Sequence, residues 1–331
     1  MTGLRWGILS TGAIAHTFTG DVLRAGRRVT AVGSRTQAAA DAFATRHGIA
    51  RAHGSYESLV ADPEVDIIYI GTPHPLHHPH ATLALEHGKH VLVEKAFTLT
   101  RAEAEDLRQL GERQGLLVME AMWTRYLPHM VRIRELLAAG ALGEVRAVMA
   151  DHTQLITDDP AHRLNNLALG GGALLDLGIY PISFIWEVLG APDTIQASAR
   201  LGAGGADAEV ATVMTHAGGA VSTSLSSARA QGPNRASVIG TQARIDIDAV
   251  WYAPTSFTVT RADGQVVERY ESQVEGRGMQ YEALAAERLV AAGALGSDIQ
   301  PLQETIDIMG CLDDIRAQIG VRYPGEKEQH G

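Results

Sequence analysis

Lys95, Asp176 and Tyr180 are the residues of this chain whose types and placing best suit the movement of a proton. Lys95 is one of only three lysines in 331 residues and ends the run His90-Val91-Leu92-Val93-Glu94. Arginine fills nearly every other basic position. A guanidinium keeps its proton, whereas a desolvated ammonium can give one up. A titratable amine at the carboxyl end of a buried strand stands where open α/β sheets keep their chemistry. A solvated lysine paired with Glu94 is the plainer reading of the same position. Asp176 and Tyr180 follow Gly170-Gly171-Gly172 and are four apart, so a helix there projects both from one face. Three glycines admit close approach of a ligand or of another backbone. The pair reads either as a dipole-favoured carboxylate with a core tyrosine or as a proton-handling couple. A phenol titrates near pH 10 in water, so a neighbouring ammonium would be needed to favour phenolate near neutrality.

The elements that must position these groups alternate in the first third of the chain. Short apolar runs at residues 4–9, 29–32, 65–70, 90–94 and 116–119 read as strands, separated by helical patterns. Thr36 and Gly48 cap one helix, Ser55 opens another, and Thr100 with Glu103 forms a capping box. This alternation predicts βαβ units and a parallel sheet. The first turn, Ser10-Thr11-Gly12-Ala13-Ile14-Ala15, is an imperfect G-x-G-x-x-G/A match with serine at the first glycine. Gly12 would let the backbone approach a pyrophosphate at the helix N-terminus, and Ala15 permits close packing. A second strand ending in Gly33-Ser34-Arg35 offers a hydroxyl and a guanidinium where an NAD site commonly has a carboxylate. That chemistry suits a 2′-phosphate and favours NADP, with NAD still possible.

Past residue 140 the pattern changes to a long strand at 144–156, a helix at 173–189, and several alternating runs joined by Gly-rich or Asp-Gly turns. These predict a large, mostly antiparallel open sheet, closed by helices at 279–292 and 301–319, the last able to pack on either domain. The fold class is therefore α/β: a doubly wound Rossmann domain over residues 1–122 and an α/β substrate-binding and dimerisation domain over residues 123–331. Residues 325–331 read as a disordered tail.

Composition excludes several classes. A net charge of −10 argues against nucleic acid or an anionic membrane as partner. The amino terminus lacks a secretion signal, and no apolar run reads as long enough to span a bilayer, which points to the cytoplasm. Cys311 is the single cysteine, sits in an apolar helical pattern and reads as a buried, inert thiol. The histidines of His74-Pro75-Leu76-His77-His78-Pro79-His80 lack accompanying carboxylate or cysteine spacing, so no metal site is expected. Their loop, with Thr72 and Pro73, reads instead as part of the cofactor face.

The turn at Gly12, Thr72-Pro73 with His77, Gly88-Lys89-His90-Val91, Glu94-Lys95 and Gly171-Gly172 with Asp176 together resemble the Gfo/Idh/MocA family of NAD(P)-dependent sugar oxidoreductases. The likeness runs over essentially the whole chain. Tyr180, where most members have histidine, and the run 119–125 are similar to the branch with dimeric dihydrodiol dehydrogenase and NADP-dependent D-xylose dehydrogenase. The resemblance implies proton handling and substrate alignment by Lys95 and Tyr180, with Asp176 in support. It does not decide which of the two carries the proton. It places the nucleotide against Ser10, Thr11, Gly12, Ala13, Ile14, Ser34, Arg35, Thr72, Pro73, His74, His77, Glu94 and Lys95. By the same likeness Trp123, Arg125 and Trp251 line the substrate pocket, though both tryptophans suit a core equally. Ala96 replaces the proline usual after Glu-Lys, which is expected to loosen the backbone there. The substrate implied is a sugar, polyol, diol or dicarbonyl, and the assembly a homodimer or dimer of dimers. An aldose–ketose oxidoreductase with tightly held nucleotide, or a non-catalytic dinucleotide sensor, are the rival readings.

Overall fold

A computed structural model describes residues 3–326, so the first two residues and residues 327–331 of the expected tail lie outside the described part. The chain divides into two compact units, residues 1–126 with 275–309 and residues 127–274 with 310–331. The boundary expected at 122/123 thus falls four residues later. The segment 275–309, assigned from the sequence to the second domain, clusters with the first unit.

In the first unit, β1 (Arg5–Leu9), α1 (Ala13–Arg24), β2 (Arg28–Gly33), α2 (Gln37–His47), β3 (Arg51–His53), α3 (Tyr56–Val60), β4 (Ile67–Ile70), α4 (His77–Glu86), β5 (His90–Glu94), α5 (Arg101–Gln114) and β6 (Val118–Ala121) follow in order. The six strands form a sheet in the order 3-2-1-4-5-6, with parallel pairing throughout. Ile8, Val32, Ile68, Leu92 and Val118 fill its centre. Strands buried on both faces read as continuous apolar runs, which is why these were legible. The Thr100 side chain accepts from Glu103 N–H, and the Glu103 carboxylate accepts from Leu99 N–H, closing the capping box one residue earlier than the standard form. Gly48 ends α2 in the left-handed conformation. Helix α8 (Gln280–Ala291) and the first half of α9 (Leu302–Ile319) complete this unit. Trp6 donates its indole N–H to Glu287 of α8 at 3.0 Å, tying the late segment to the first strand.

The second unit holds α6 (Pro128–Ala138), β7 (Val145–Thr153), α7 (Ile179–Leu189), β8 (Pro192–Leu201), β9 (Asp207–His216), β10 (Val221–Ser227), β11 (Ala236–Gly240), β12 (Ala243–Ile247), β13 (Phe257–Arg261) and β14 (Val266–Tyr270). Its eight-stranded sheet runs 14-13-12-11-7-10-9-8, antiparallel except for the β7–β10 pair. Burial alternates along β9 and β10, so one face packs inward and the other carries Val213, Val221 and Leu225 outward. Residues Leu167–Leu189 have a mean hydropathy of 1.5 and are, by length and composition, apolar enough to cross a membrane. The sequence reading missed this, and 83% of the qualifying window is buried inside the protein.

Candidate active site

In the first unit, the turn after β1 presents a bare helix N-terminus. Gly12 is the N-cap of α1, no side chain caps it, and the first turn carries no acidic residue. Orphan N–H groups and the helix dipole at such an end suit a pyrophosphate. Ser10 stands where the fingerprint has glycine and adopts φ +118°, a conformation that favours glycine. Its Oγ accepts the Gly12 N–H at 3.1 Å, and its own N–H donates to the Gly33 carbonyl. The Oγ atoms of Thr11 and Ser34 lie 3.2 Å apart, joining the first two strand ends. Arg35 is exposed, and its charge opposes the upward push that burial gives the Tyr56 phenol. Tyr56 meets the edge of His80 at 4.7 Å, and His80 Nδ1 lies 3.1 Å from Thr72 Oγ1. The sequence reading missed Tyr56 at this rim. These residues fit a dinucleotide: an uncapped helix end for its diphosphate, and a hydroxyl and a guanidinium for the ribose end.

Lys95 leaves the end of β5 into a loop clamped from two sides. His77 is fully buried between two carbonyls, with Nε2 2.7 Å from Thr72 O and Nδ1 2.9 Å from Ala96 O. Burial pushes the imidazole down to about 3, aided by His74, against the pull of those carbonyls. A neutral ring has one N–H, so it donates to one carbonyl at a time. His77 therefore sits between the Thr72-Pro73 loop and the Lys95 loop, bonded to one of them at a time. The buried ring of His74 meets it edge-on at 5.5 Å. On the other side, the Phe97 backbone opposes the upward push that burial gives the Glu120 carboxyl. Ala96, which stands where the family likeness expects proline, is buried. Glu94 turns inward and accepts the Tyr69 hydroxyl at 2.6 Å.

Two of the expected substrate contacts lie in this unit. Trp123 is buried beneath the Arg277 guanidinium, 4.9 Å from its ring centroid. Arg125 is buried and donates to Glu304 at 2.7 Å.

In the second unit, Asp176 and Tyr180 lie on successive turns of different kinds. Leu174–Gly178 is a π-helical turn that runs into α7, so the four-residue spacing does not have regular α-helical phase. The glycines before it serve backbone contact. A Cβ on Gly171 would lie 2.5 Å from the Arg163 carbonyl, and one on Gly172 would lie 2.2 Å from Asp207 Oδ1. Asp207, on β9, accepts the Leu174 N–H at 2.6 Å and so anchors the start of this helix. Burial pushes its carboxyl up to about 6, against hydrogen bonds from Leu174 and Ala173 and the charge of Arg316. The Tyr323 hydroxyl donates to Gly171 O at 2.9 Å from the other side.

Arg163 grips the Asp176 carboxylate through one nitrogen, at 3.0 and 3.1 Å. The Tyr180 ring belongs to an aromatic cluster, 4.9 Å from His152 and 5.2 Å from Tyr252, which stack on each other at 3.7 Å. The sequence reading found none of Arg163, His152 and Tyr252. It named Trp251 instead, which is 0% exposed, donates its indole N–H to Asp151 O at 2.6 Å and packs on Phe184. Trp251 meets Tyr252 edge-on at 5.7 Å. Among the described residues, no group of three or more His, Cys, Asp or Glu is placed to hold a metal.

A parallel sheet with a bare glycine-turn helix end, followed by an open mixed sheet, defines a nucleotide-dependent oxidoreductase of two units. The chain belongs to the Gfo/Idh/MocA family: residues 4–122 match the oxidoreductase family with the NAD-binding Rossmann fold, and residues 130–246 match its GFO/IDH/MocA C-terminal domain. It is 36% identical to trans-1,2-dihydrobenzene-1,2-diol dehydrogenase of Bos taurus, over 98% of this chain and 99% of that one. It is 35% identical to the NADP(+)-dependent D-xylose 1-dehydrogenase of Hypocrea jecorina, over 97% and 93% of the two chains. A 3-ketoreductase from Actinomadura kijaniata, solved with NADP and TDP-benzene, superposes with a TM-score of 0.84 at 25% identity, covering 96% of this chain and 98% of its own.

Proposed function

We propose that the protein is an NADP-dependent dehydrogenase that exchanges hydride with a carbinol or carbonyl carbon of a cyclic diol, sugar, polyol or dicarbonyl. The nicotinamide, when bound, supplies the hydride acceptor or donor. The chain must hold the reacting oxygen and handle one proton. Lys95 is the amine assigned to that oxygen, and its loop is fixed by His77 and Glu120. Tyr180 is the phenol assigned to proton handling from the second unit, with Asp176 and Arg163 setting its surroundings. The aromatic faces of Tyr180 and Tyr252 suit the apolar face of a ring substrate. The observation that carries the reading is Lys95 at the carboxyl end of β5, in a sheet whose strand order reverses between β1 and β4, where open sheets bind their ligands. Ser34 and Arg35, with no carboxylate beside them, support NADP over NAD.

The test is consumption of oxidised or reduced nucleotide with a panel of trans-diols, aldoses, polyols and dicarbonyls, using NADP(H) and NAD(H) in parallel. Turnover with diols or sugars and a preference for NADP(H) is the expected result. Binding without turnover across the panel would overturn the enzyme reading. The outward face of the second sheet supports a homodimer as well. Met149, Thr223 and Val213 sit in one cross-strand row with Leu225 and Val221 beside them, a self-complementary apolar patch for a two-fold contact. Light scattering should give twice the chain mass, and Leu225→Glu should give the monomer.

A further inference from the structure

The helix that carries Asp176 and Tyr180 is entered through Gly170-Gly171-Gly172, a run with no side chain to stiffen it. What holds this run comes from elsewhere in the second unit. Asp207 accepts the Leu174 N–H just beyond it. Gly171 donates its N–H to the Asn166 carbonyl at 3.0 Å and lies against the 163–166 turn. A Cβ on Gly171 would come within 2.9 Å of three backbone atoms of Arg163 and Asn166. That turn delivers the Arg163 guanidinium to the Asp176 carboxylate. The ion pair uses one guanidinium nitrogen, and the Arg163 side chain is 48% exposed, so it has little energy of its own with which to place the turn. The position of the turn must come from its backbone ties. One of these ties starts at the far end of the chain, where the Tyr323 hydroxyl donates to the Gly171 carbonyl at 2.9 Å.

Tyr323 is itself firmly seated. It is buried, and the Arg316 guanidinium lies over its ring, 4.9 Å from the centroid. Its N–H donates to Glu326 at 3.1 Å, and Glu326 also accepts from Arg316 at 2.7 Å. Arg316 pairs in addition with Asp313 at 2.6 Å. Burial, with the negative charge of Asp207 beside it, pushes the phenol above its ordinary value, so the hydroxyl keeps its proton and stays a donor. Phenylalanine would fill the place beneath Arg316 as well, since its ring also attracts a cation. The hydroxyl is therefore the informative part of this side chain. It is aimed at the carbonyl of the residue against which the 163–166 turn rests.

We propose that Tyr323 is a positioning residue for the reaction: through Gly171 it places the 163–166 turn, and through that turn the grip of Arg163 on Asp176. The segment after α9 is then part of the machinery that sets the surroundings of Tyr180, although it supplies no group that touches the substrate. The inference rests on the dehydrogenase reading above and adds to it a residue that neither catalysis nor nucleotide binding calls for directly.

The experiment is a double-mutant cycle on the full chain with Tyr323→Phe and Arg163→Met. The readouts are kcat, KM and its pH profile with NADP(H) and the panel of trans-diols, aldoses, polyols and dicarbonyls, together with the Kd for NADPH. Tyr323→Phe keeps the ring and removes only the hydroxyl. It should lower kcat about fivefold to tenfold, with the NADPH Kd moved less than about twofold. The pH profile of kcat should shift in the same direction as in Arg163→Met. Because Tyr323 acts through Arg163, adding Tyr323→Phe to Arg163→Met should cost less than about a further twofold in kcat. A Tyr323→Phe protein with the wild-type kcat and pH profile would overturn the proposal, even if it melts at a lower temperature. So would single losses in kcat that simply multiply in the double variant. A wild type that turns over nothing in the panel is a distinct result, which overturns the dehydrogenase reading and this inference with it. Should Tyr323→Phe not fold, Glu326→Gln loosens the same segment from its partly exposed end and carries the same cycle.

Discussion

The loop that carries Lys95 and the helix that carries Tyr180 are held by opposite means. Lys95 sits at a strand end, and its loop is gripped at the backbone by a neutral, buried histidine and a buried carboxyl. Tyr180 sits on a helix whose start is tied to a neighbouring strand by Asp207 and whose flank is held by the Arg163–Asp176 ion pair. Backbone clamping fixes where the amine can be. Side-chain anchoring places charge close to the phenol. The difference is that contacts to backbone hold the first group, whereas side-chain contacts hold the helix of the second.

The sharpest way to break this comparison is to remove each reacting group in turn. Lys95→Met should lower kcat by about 10³-fold or more while nucleotide Kd moves less than about threefold. Tyr180→Phe should cost about 10²-fold in kcat. Steady-state kinetics and fluorescence titration separate the two effects. Equal loss of turnover and binding in Lys95→Met would reduce Lys95 to a structural residue.

The anchor of the second half can be tested by stability. Gly172 has φ +132°, and an added Cβ would lie 2.2 Å from Asp207 Oδ1. Gly172→Ala should destabilise by about 3 kcal/mol, and the pair Gly172→Ala with Asp207→Ala should lose less than the sum of the singles. Denaturant melts of the four proteins give the coupling, and strict additivity would deny the contact. The pH dependence follows from the raised Asp207 carboxyl, which goes from 3.8 to about 6 on folding. The folded state then holds a proton that the unfolded chain has released, so this group's contribution to stability falls as pH rises from about 4 to about 6. Asp207→Asn should remove that part of the slope in thermal melts across the window.

How much of this was visible in the sequence depends on whether the cause was local. Strand β5 with Lys95, the caps at Thr36, Ser55 and Thr100, and the glycine turn at Gly12 are set by neighbours within a few residues, and all stand where expected. Strand β3 has three residues, and β12 carries Arg244 and Asp246, so neither shows a clear run. The return of 275–309 to the first unit rests on contacts such as Trp6 to Glu287, 281 positions apart, and no periodicity reports those. Trp251 read both ways in the sequence because large aromatics suit a pocket and a core alike, and it is buried. Arg163 was missed because it lies in an irregular polar loop, where one arginine looks like any other. The glycines at 171 and 172 were noticed for the right reason, close approach, but the approaching groups are the protein's own carbonyls and Asp207.

Two smaller changes sharpen the comparison between the halves. Arg163 is 48% exposed at its side chain, so its ion pair with Asp176 should contribute under about 1 kcal/mol to stability. If that pair tunes the surroundings of Tyr180, Arg163→Met should leave the melting temperature nearly unchanged yet shift the pH profile of kcat. A change in melting temperature with an unmoved profile would make the pair structural only.

The smallest effect is expected at the turn after β1. Ser10 holds φ +118° in place of a fingerprint glycine, a conformation that costs a residue with a Cβ about 1–3 kcal/mol. Against that, its Oγ accepts the Gly12 N–H, a contact worth about 1 kcal/mol, and glycine is more flexible in the unfolded chain by about 0.5–1 kcal/mol. The terms nearly cancel, so Ser10→Gly should change stability by less than about 1 kcal/mol. Nucleotide affinity should respond differently, because glycine frees the Gly12 N–H from the serine hydroxyl and returns it to the helix end that would receive a diphosphate. Tighter NADP binding by Ser10→Gly with an unmoved melting temperature would show that the serine restrains the nucleotide turn rather than the fold. Weaker binding would mean that the hydroxyl itself meets the nucleotide, and the backbone-led account of the first half would then need a side chain at its centre.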